Sequence, residues 1–300
     1  MLVKELYTSA ARRLTAAGIP APDLEAGILL GHILRLNRTE LMLAADRPMS
    51  PATREIFEKK LQRRLHREPI AYILGQCEFW SLPFQVTSDV LVPRPETEVL
   101  IEKVLAAAGI PANIPAGPIL DLGTGSGAIA IVLALEMRQR QEIYGLDLSQ
   151  AALRVAMNNA VRHQVADRVR FIRSDWLTAV APQKQFPLIV ANPPYVEREL
   201  LEHTAAKVSD TILQPEVLFF EPHLALNGGK GGMEKIEQLA RGLPAVLMPG
   251  GWFFMEVGAG QADQVMKLFD AISCFEALKI HDDYGGLPRV FQARRRRDGR

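Results

Sequence analysis

Residues 118–137 read PILDLGTGSGAIAIVLALEM, and this stretch decides the fold. Ile119 to Leu122 is a short apolar run, expected to be a buried strand. The turn Asp121-Leu122-Gly123-Thr124-Gly125-Ser126-Gly127 follows, and its glycines can adopt positive φ and approach a ligand closely. Ala128 to about Met137 is then an apolar helix. The pattern repeats downstream. Ile143 to Leu146 reads as a second strand, ending at Asp147, with a helix from Ser149 to about Arg162. Val169 to Ile172 is a third strand, with Asp175-Trp176 just beyond it. Phe186 to Ala191 is a fourth, running into Asn192-Pro193-Pro194-Tyr195. A less regular stretch covers 196–229. A helix over 233–247 precedes Pro249-Gly250-Gly251 and a fifth strand, Trp252 to Val257. A helix near 261–271 and strands near 275–281 and 289–293 follow, the last two joined by a short turn. Alternating strands and helices imply an α/β domain with a mostly parallel sheet, right-handed crossovers and an antiparallel pair at one edge.

Upstream the chain has a different character. Residues 1–75 read as all helix. Val3, Leu6, Ala10 and Leu14 share one face of a first helix that ends at Gly18. Asp23 is expected to cap a second, with Leu24, Ile28, Leu30 and Leu34 apolar, and Thr39 a short third. Ser50-Pro51 opens a longer helix with Ile56, Phe57, Leu61 and Leu65 facing inward and a charged, solvated outer face. Residues 76–95 read as a β-hairpin linker: β-formers from Phe79 to Val86, a turn at Thr87-Ser88-Asp89 and a second strand at Val90 to Val92. The expected organisation is therefore a helical domain (1–75), a hairpin (76–95) and an α/β domain (96–300).

The bulk numbers exclude several classes. Apolar content is 48% and charged content 23%, ordinary for a globular protein with a core. Net charge is +1, so there is no basic footprint for extended duplex binding. The Arg294 to Arg297 run reads as a solvated tail. Cys77 and Cys274 form neither a disulfide framework nor a metal spacing, which suits a reducing cytoplasm. No apolar run reaches the ~18–20 residues of a membrane span. The amphipathic start, MLVKELYTSAARRL, does not read as a signal peptide.

Three clusters carry chemistry. The glycine turn with Asp147 suits a nucleoside-containing cofactor, since a carboxylate at the second strand's end can accept from both ribose hydroxyls. Gly123, Gly125 and Ala128 also satisfy a relaxed dinucleotide fingerprint, which leaves a nicotinamide oxidoreductase open. Asp175 and Trp176 offer an acceptor and a flat face to adenine. Asn192-Pro193-Pro194-Tyr195 places a side-chain carbonyl and a free backbone carbonyl side by side at a strand's carboxyl end, with an aromatic ring next to them. Two adjacent acceptors suit a planar substrate –NH2. Read alone, Asn-Pro-Pro is equally good turn chemistry.

Taken together, DLGTGSG (121–127), Asp147, Asp175-Trp176 and NPPY (192–195) resemble the class I S-adenosylmethionine-dependent methyltransferases that act on planar nitrogen. REPIAYILG (67–75), EFW (78–80), VPRPETE (92–98), FEPHLAL (220–226) and DDYGGLPRV (282–290) narrow this. The chain is similar, over essentially its whole length, to the release factor glutamine methyltransferase (HemK/PrmC) family. The 205–219 loop does not align. The resemblance implies a Rossmann-like domain with a seven-stranded sheet, behind a helical domain that recognises the protein substrate. It implies methyl transfer from S-adenosyl-L-methionine, leaving S-adenosyl-L-homocysteine, to the side-chain nitrogen of the glutamine in the Gly-Gly-Gln loop of class I peptide chain release factors. The expected cofactor residues are Asp121 (ammonium), Gly123, Thr124, Gly125, Ser126 and Gly127, Asp147 (ribose), Asp175 and Trp176 (adenine), and Asn192. Asn192 and Pro193 are expected to orient the substrate nitrogen, with Pro194 and Tyr195 against its plane and Phe79 and Arg94 walling the site. Glu98, one helical turn on, is the expected ion-pair partner of Arg94. No metal, membrane or direct nucleic-acid binding is expected. An adenine-N6 or guanine-N2 nucleic-acid methyltransferase, using the same four residues, is the alternative.

Overall fold

The computed structural model describes residues 1–110, 114–137, 141–181, 184–202 and 214–297. It divides into two compact units: residues 1–76 with 214–220, and the rest. The first contains α1 (Val3–Ala16), α2 (Pro22–Leu34), α3 (Arg38–Leu43), α4 (Pro51–Leu65) and α5 (Ile70–Leu74), with a short helix, Pro215–Phe220, returning from far downstream. Leu6, Ala10 and Leu14 of α1 meet Ala26, Leu29 and Leu30 of α2 and Phe57 and Leu61 of α4 in its core. Several local expectations change here. α2 starts at Pro22, so Asp23 does not cap it, and its inward positions are 26, 29 and 30 while Leu24 and Ile28 are exposed. The cap of α3 is Asn37, not Thr39: its side chain accepts from the Glu40 N–H and Glu40 answers in a reciprocal capping box. On α4, Ile56 is exposed and Arg64 takes an inward position. Arg64 is tolerated there because Glu25 (2.5 Å) and Glu216 (2.9 Å) both pair with it.

The second unit begins with a tight hairpin, β1 (Gln76–Phe79) and β2 (Leu82–Gln85). The hairpin reverses at Trp80-Ser81, both with positive φ (55° and 56°); the expected turn at 87–89 also forms, closed by the Val90 N–H donating to the Thr87 carbonyl (3.1 Å), but no strand follows it at 90–92. Backbone of this hand matches the strand twist and permits a two-residue loop. The hairpin is docked on the α/β core. Phe79 and Phe84 pack edge to face at 6.0 Å inside it.

The chain continues through α6 (Pro95–Ala108), β3 (Ile119–Leu122), α7 (Ala128–Glu136), β4 (Ile143–Asp147), α8 (Gln150–Arg162), β5 (Val169–Arg173), β6 (Phe186–Ala191), β7 (Val196–Glu197) and α9 (Arg198–Leu201). The returning helix is α10; α11 (His223–Leu226), β8 (Asn227–Gly229), α12 (Glu234–Val246), β9 (Leu247–Glu256), α13 (Ala262–Asp270), β10 (Phe275–Asp282) and β11 (Pro288–Arg295) follow. The main sheet has seven strands in the order β10-β11-β9-β6-β3-β4-β5, with β11 antiparallel to both neighbours. β9 starts earlier than expected. It runs through Pro249-Gly250-Gly251 as a bulge against β6, where pairing slips between Phe186 and Leu188. One face of the sheet buries residues of α6 and α7, the other those of α12 and α13. Every residue of β6 is buried, as befits a central strand covered on both sides.

The basic terminus is not a solvated tail in its described part. Arg294 donates to the Gly250 carbonyl and lies over Trp252, and Arg296 donates to the Ser273 and Phe275 carbonyls. These arginines tie the sheet edge together. No helix among the described residues is long and apolar enough to cross a membrane.

Candidate active site

The strand order reverses direction at β3, because β4 lies on one side of it and β6 on the other. Such a switch point opens a crevice at the strands' carboxyl ends. A cavity of about 260 Å³ occupies it.

The glycine turn forms its floor. Gly123, Gly125 and Gly127 have φ of 72°, 54° and 81°, a backbone that side chains strain. Gly127 also has no room for one, since a Cβ would lie 3.1 Å from Ala156 and Ile131. The turn is suspended from β4: the Gly123 and Thr124 N–H groups donate to the Leu146 carbonyl (2.8 and 2.9 Å), and the Gly125 N–H to Asp147 Oδ2 (2.9 Å). Asp147 Oδ1 accepts from the Ser149 N–H (2.8 Å). Asp147 lines the cavity, and burial raises its pKa against the pull of these N–H groups. Gly123, Thr124, Gly125 and Ser126 line it too. Asp175 and Trp176 form another wall, with Trp176 held at φ 49° while its carbonyl accepts from the Ser174 hydroxyl (2.7 Å).

Asp121 is placed differently from expectation. It is fully buried behind the turn and does not line the cavity. Oδ2 accepts from the Thr124 hydroxyl (2.6 Å), and Oδ1 has no hydrogen-bond partner among the described residues. Burial pushes this carboxyl up to about 7, the Thr124 hydroxyl opposes the rise, and the charge of Asp147 adds to it. A carboxyl with a raised folded-state pKa contributes stability in its protonated form. That contribution is complete below the unfolded value near 3.8 and is lost as pH rises through about 7. Asp121→Asn does not titrate. Its melting temperature should therefore gain on the parent's between pH 5 and pH 8, by an amount of the order of a few kcal/mol in stability. A gap that does not change with pH would show that Asp121 titrates normally.

At the end of β6, Asn192 and Pro194 line the cavity, while Pro193 is buried and Tyr195 turns away. Tyr195 does not present its hydroxyl to the cavity: it donates to Glu256 Oε1 (3.1 Å) at the end of β9, and burial raises its pKa. Glu256 Oε2 accepts from the Thr97 hydroxyl (2.6 Å), and Thr97 Oγ1 accepts from the Asn192 side-chain amide (3.2 Å). Thr97 and Glu256 were not foreseen. The signal for Glu256 was a lone carboxylate inside an apolar strand, WFFMEV, where charge is rarely buried without partners.

Glycines also bring backbone to this corner. A Cβ on Gly228 would lie 2.8 Å from the Pro194 carbonyl and from Tyr195 Cα; one on Gly232 would lie 2.3 Å from the Tyr195 carbonyl. The Gln261 amide donates to that same carbonyl and to that of Gly232, both at 3.1 Å. The strand-end geometry is therefore held from three directions.

On the remaining side, Phe79, Arg94 and Thr97 line the cavity with Pro222, Leu224 and Ala225. Arg94 pairs with Glu221 (2.5 Å) rather than Glu98, which instead accepts from the Trp80 N–H (2.7 Å) and so fixes the hairpin turn. Glu221 is nearly fully enclosed, and burial raises its pKa against the attraction of Arg94. Asn159, also unforeseen, clamps β2 to the glycine turn: it accepts from the Gln85 N–H (2.7 Å) and donates to the Gln85 (3.0 Å) and Ser126 (2.9 Å) carbonyls. Part of the 205–219 loop, residues 205–213, lies outside the described residues.

Comparison with known proteins bears on this geometry. Residues 5–75 match the model of the PrmC N-terminal domain, and residues 96–215 that of the methyltransferase small domain. A release factor glutamine methyltransferase of Koribacter versatilis is 40% identical over 98% of this chain and 99% of its own. One of Cereibacter sphaeroides is 38% identical over 98% and 99%. A crystal structure of a methyltransferase from Pyrococcus furiosus shares the fold at 16% identity, with a TM-score of 0.51 over 79% of this chain and 98% of that one. With full-length relatives at this identity, the chain belongs to the release factor glutamine methyltransferase family.

Proposed function

We propose that this chain transfers a methyl group from S-adenosyl-L-methionine to the side-chain amide nitrogen of the glutamine in the Gly-Gly-Gln loop of class I peptide chain release factors. The observation that carries the chemistry is the Asn192 side chain, at the mouth of a nucleoside-sized crevice, with its amide nitrogen already engaged by Thr97. Its oxygen is left as an acceptor for a substrate –NH2. The choice of glutamine rests on kinship to full-length relatives of that name.

The residues fit the cofactor. The turn puts the backbone of Gly123 and Gly125 on the cavity, and Asp147 keeps lone pairs beyond its bonds from the Gly125 and Ser149 N–H groups, enough for ribose hydroxyls. Asp175 and Trp176 would hold the adenine. When bound, the cofactor supplies a methyl group already activated by a sulfonium. The chain has to orient the nucleophile. A carboxamide nitrogen is a weak one, because its lone pair is shared with its carbonyl. Asn192 Oδ1 would accept one of its two N–H bonds; the Pro193 carbonyl, expected as the second acceptor, belongs to a buried residue that does not line the cavity. Asn192 Oδ1 would favour lone-pair localisation and stabilise the positive charge that develops on nitrogen. Alignment of this kind is worth ~7–11 kcal/mol. Tyr195 acts through its backbone and through Glu256. This replaces the expected stacking of its ring on the substrate. Phe79 and Arg94 would wall the substrate side, and the helical unit would recognise the release factor in the cytoplasm.

The test is mass spectrometry of release-factor peptides after incubation with the purified chain and cofactor. One added methyl on the Gly-Gly-Gln glutamine is expected. An unmodified glutamine, with methyl appearing instead on adenine or guanine of an oligonucleotide tested in parallel, would overturn the assignment.

A further inference from the structure

Asn192 can serve as an acceptor only if its carboxamide faces one particular way. The two ends of a carboxamide are nearly the same shape, so packing alone does not choose between them. Hydrogen bonding must choose. Asn192 Nδ2 contacts Thr97 Oγ1 at 3.2 Å, and the Thr97 hydroxyl lies 2.6 Å from Glu256 Oε2. A threonine hydroxyl has a single proton. Burial raises the pKa of Glu256, opposed by the Thr97 and Tyr195 hydroxyls and the charge of Arg289; in its ionised form Glu256 can only accept, so it takes that proton and Thr97 Oγ1 is left to accept from Asn192. The NH2 end is drawn inward and the oxygen is left facing the cavity. Glu256 in turn is 1% exposed and takes a second hydrogen bond from the Tyr195 hydroxyl at 3.1 Å, so it holds both ends of the Asn192–Tyr195 segment.

We infer that Glu256 and Thr97 are positioning residues for methyl transfer: through one directed chain of hydrogen bonds they set which end of the Asn192 amide meets the substrate nitrogen. The inference rests on the proposed transfer to a planar –NH2, and it adds the device that polarises the acceptor. Thr97 stands in the first turn of α6 and Glu256 at the end of β9, so the bond joins two elements far apart in sequence. Thr97 is 4% exposed. A polar pair buried this deeply is costly unless every member is satisfied, and here each bond satisfies two groups at once.

Two substitutions separate hydrogen bonding from packing. Thr97→Val keeps the shape and removes the hydroxyl. Thr97→Ser keeps the hydroxyl and removes a methyl. In full-length protein, Thr97→Val should lower kcat on release factor about 10²-fold, with KM for release factor and the cofactor Kd within about threefold of the parent. Thr97→Ser should recover kcat to within about threefold of the parent. The opposite order, Val active and Ser impaired, would assign Thr97 to packing and overturn the inference. The side-chain amide NMR signal of Asn192, identified by its loss in Asn192→Ala, gives a readout that needs no substrate. It should shift strongly in Thr97→Val and little in Thr97→Ser. An unmoved signal in Thr97→Val would overturn the hydrogen-bond chain even if the parent methylates release factor normally. A moved signal beside a parent inactive on release factor would sustain the chain and reject the substrate.

Discussion

Asn192→Ala should reduce kcat for methylation of release factor about 10²–10³-fold, the cost seen when one preorganised polar group is removed from a reacting centre. The cofactor Kd, measured by calorimetry, should stay within about threefold, because the substitution removes a substrate acceptor. The separation follows from where the side chain sits. Asn192 is itself among the expected cofactor contacts, but the others that line the cavity, the glycine turn, Asp147, Asp175 and Trp176, are carried by the ends of β3, β4 and β5 and remain when it is removed. Asn192 is carried by β6 and is tied to Thr97 instead. Removing it leaves the Thr97 hydroxyl bonded to Glu256, so the surrounding polar groups keep partners and the fold should tolerate the loss. A parental kcat in Asn192→Ala would end the orientation model. A collapse of cofactor affinity would instead assign Asn192 to the cofactor half of the crevice.

Asn192 was legible from sequence and Thr97 was not, for a physical reason. NPPY follows an apolar run long enough to read as a buried strand, so its place at a strand's carboxyl end could be inferred from local pattern. The same holds for the glycine turn and Asp147, and the mostly parallel sheet with its antiparallel edge was foreseen in the same way, its seven strands being what the family resemblance implied. Thr97 lies in PETE, a polar first helical turn that looks solvent-facing. Only the packing of α6 against the end of β9 buries it. Arg94 is a similar case. Spacing along the helix favoured Glu98, but Glu221, 127 residues away, takes the pair. The hairpin misled in the other direction. Trp80-Ser81 contains no glycine, asparagine or proline and only Ser81 hints at a turn, whereas Thr87-Ser88-Asp89 carries good turn chemistry and does turn the chain, but no second strand follows it. The N–H of Trp80 bonded to Glu98, and the Trp80 indole bonded to Glu136 (2.9 Å), show what overrides local preference.

Gly228→Ala tests whether the corner behind Asn192 is held to sub-ångström tolerance. Gly228 has ordinary φ, so alanine there is not strained by its own backbone; the obstacle is space. The added Cβ would meet the Gly232 carbonyl at 2.6 Å and the Pro194 carbonyl and Tyr195 Cα at 2.8 Å, and all three are backbone atoms that cannot rotate out of the way. The Asn192–Tyr195 segment is the part that must yield, since β6 below it is buried on every side. A displacement approaching 1 Å at a reacting centre can cost about 10²-fold in rate. Gly228→Ala is therefore expected to lose about 10²-fold in kcat, and about 1–3 kcal/mol of stability from overpacking. Gly231→Ala is the matched control. It sits three residues on with φ of 59°, and its Cβ would find open space. It should pay only backbone strain, about 1–2 kcal/mol of stability, with kcat within a few-fold of the parent. If both variants lose kcat alike, the whole 228–232 loop is at fault through its general stability. If Gly228→Ala keeps kcat, the Pro194–Tyr195 backbone has slack, and close glycine packing is not what positions the acceptor.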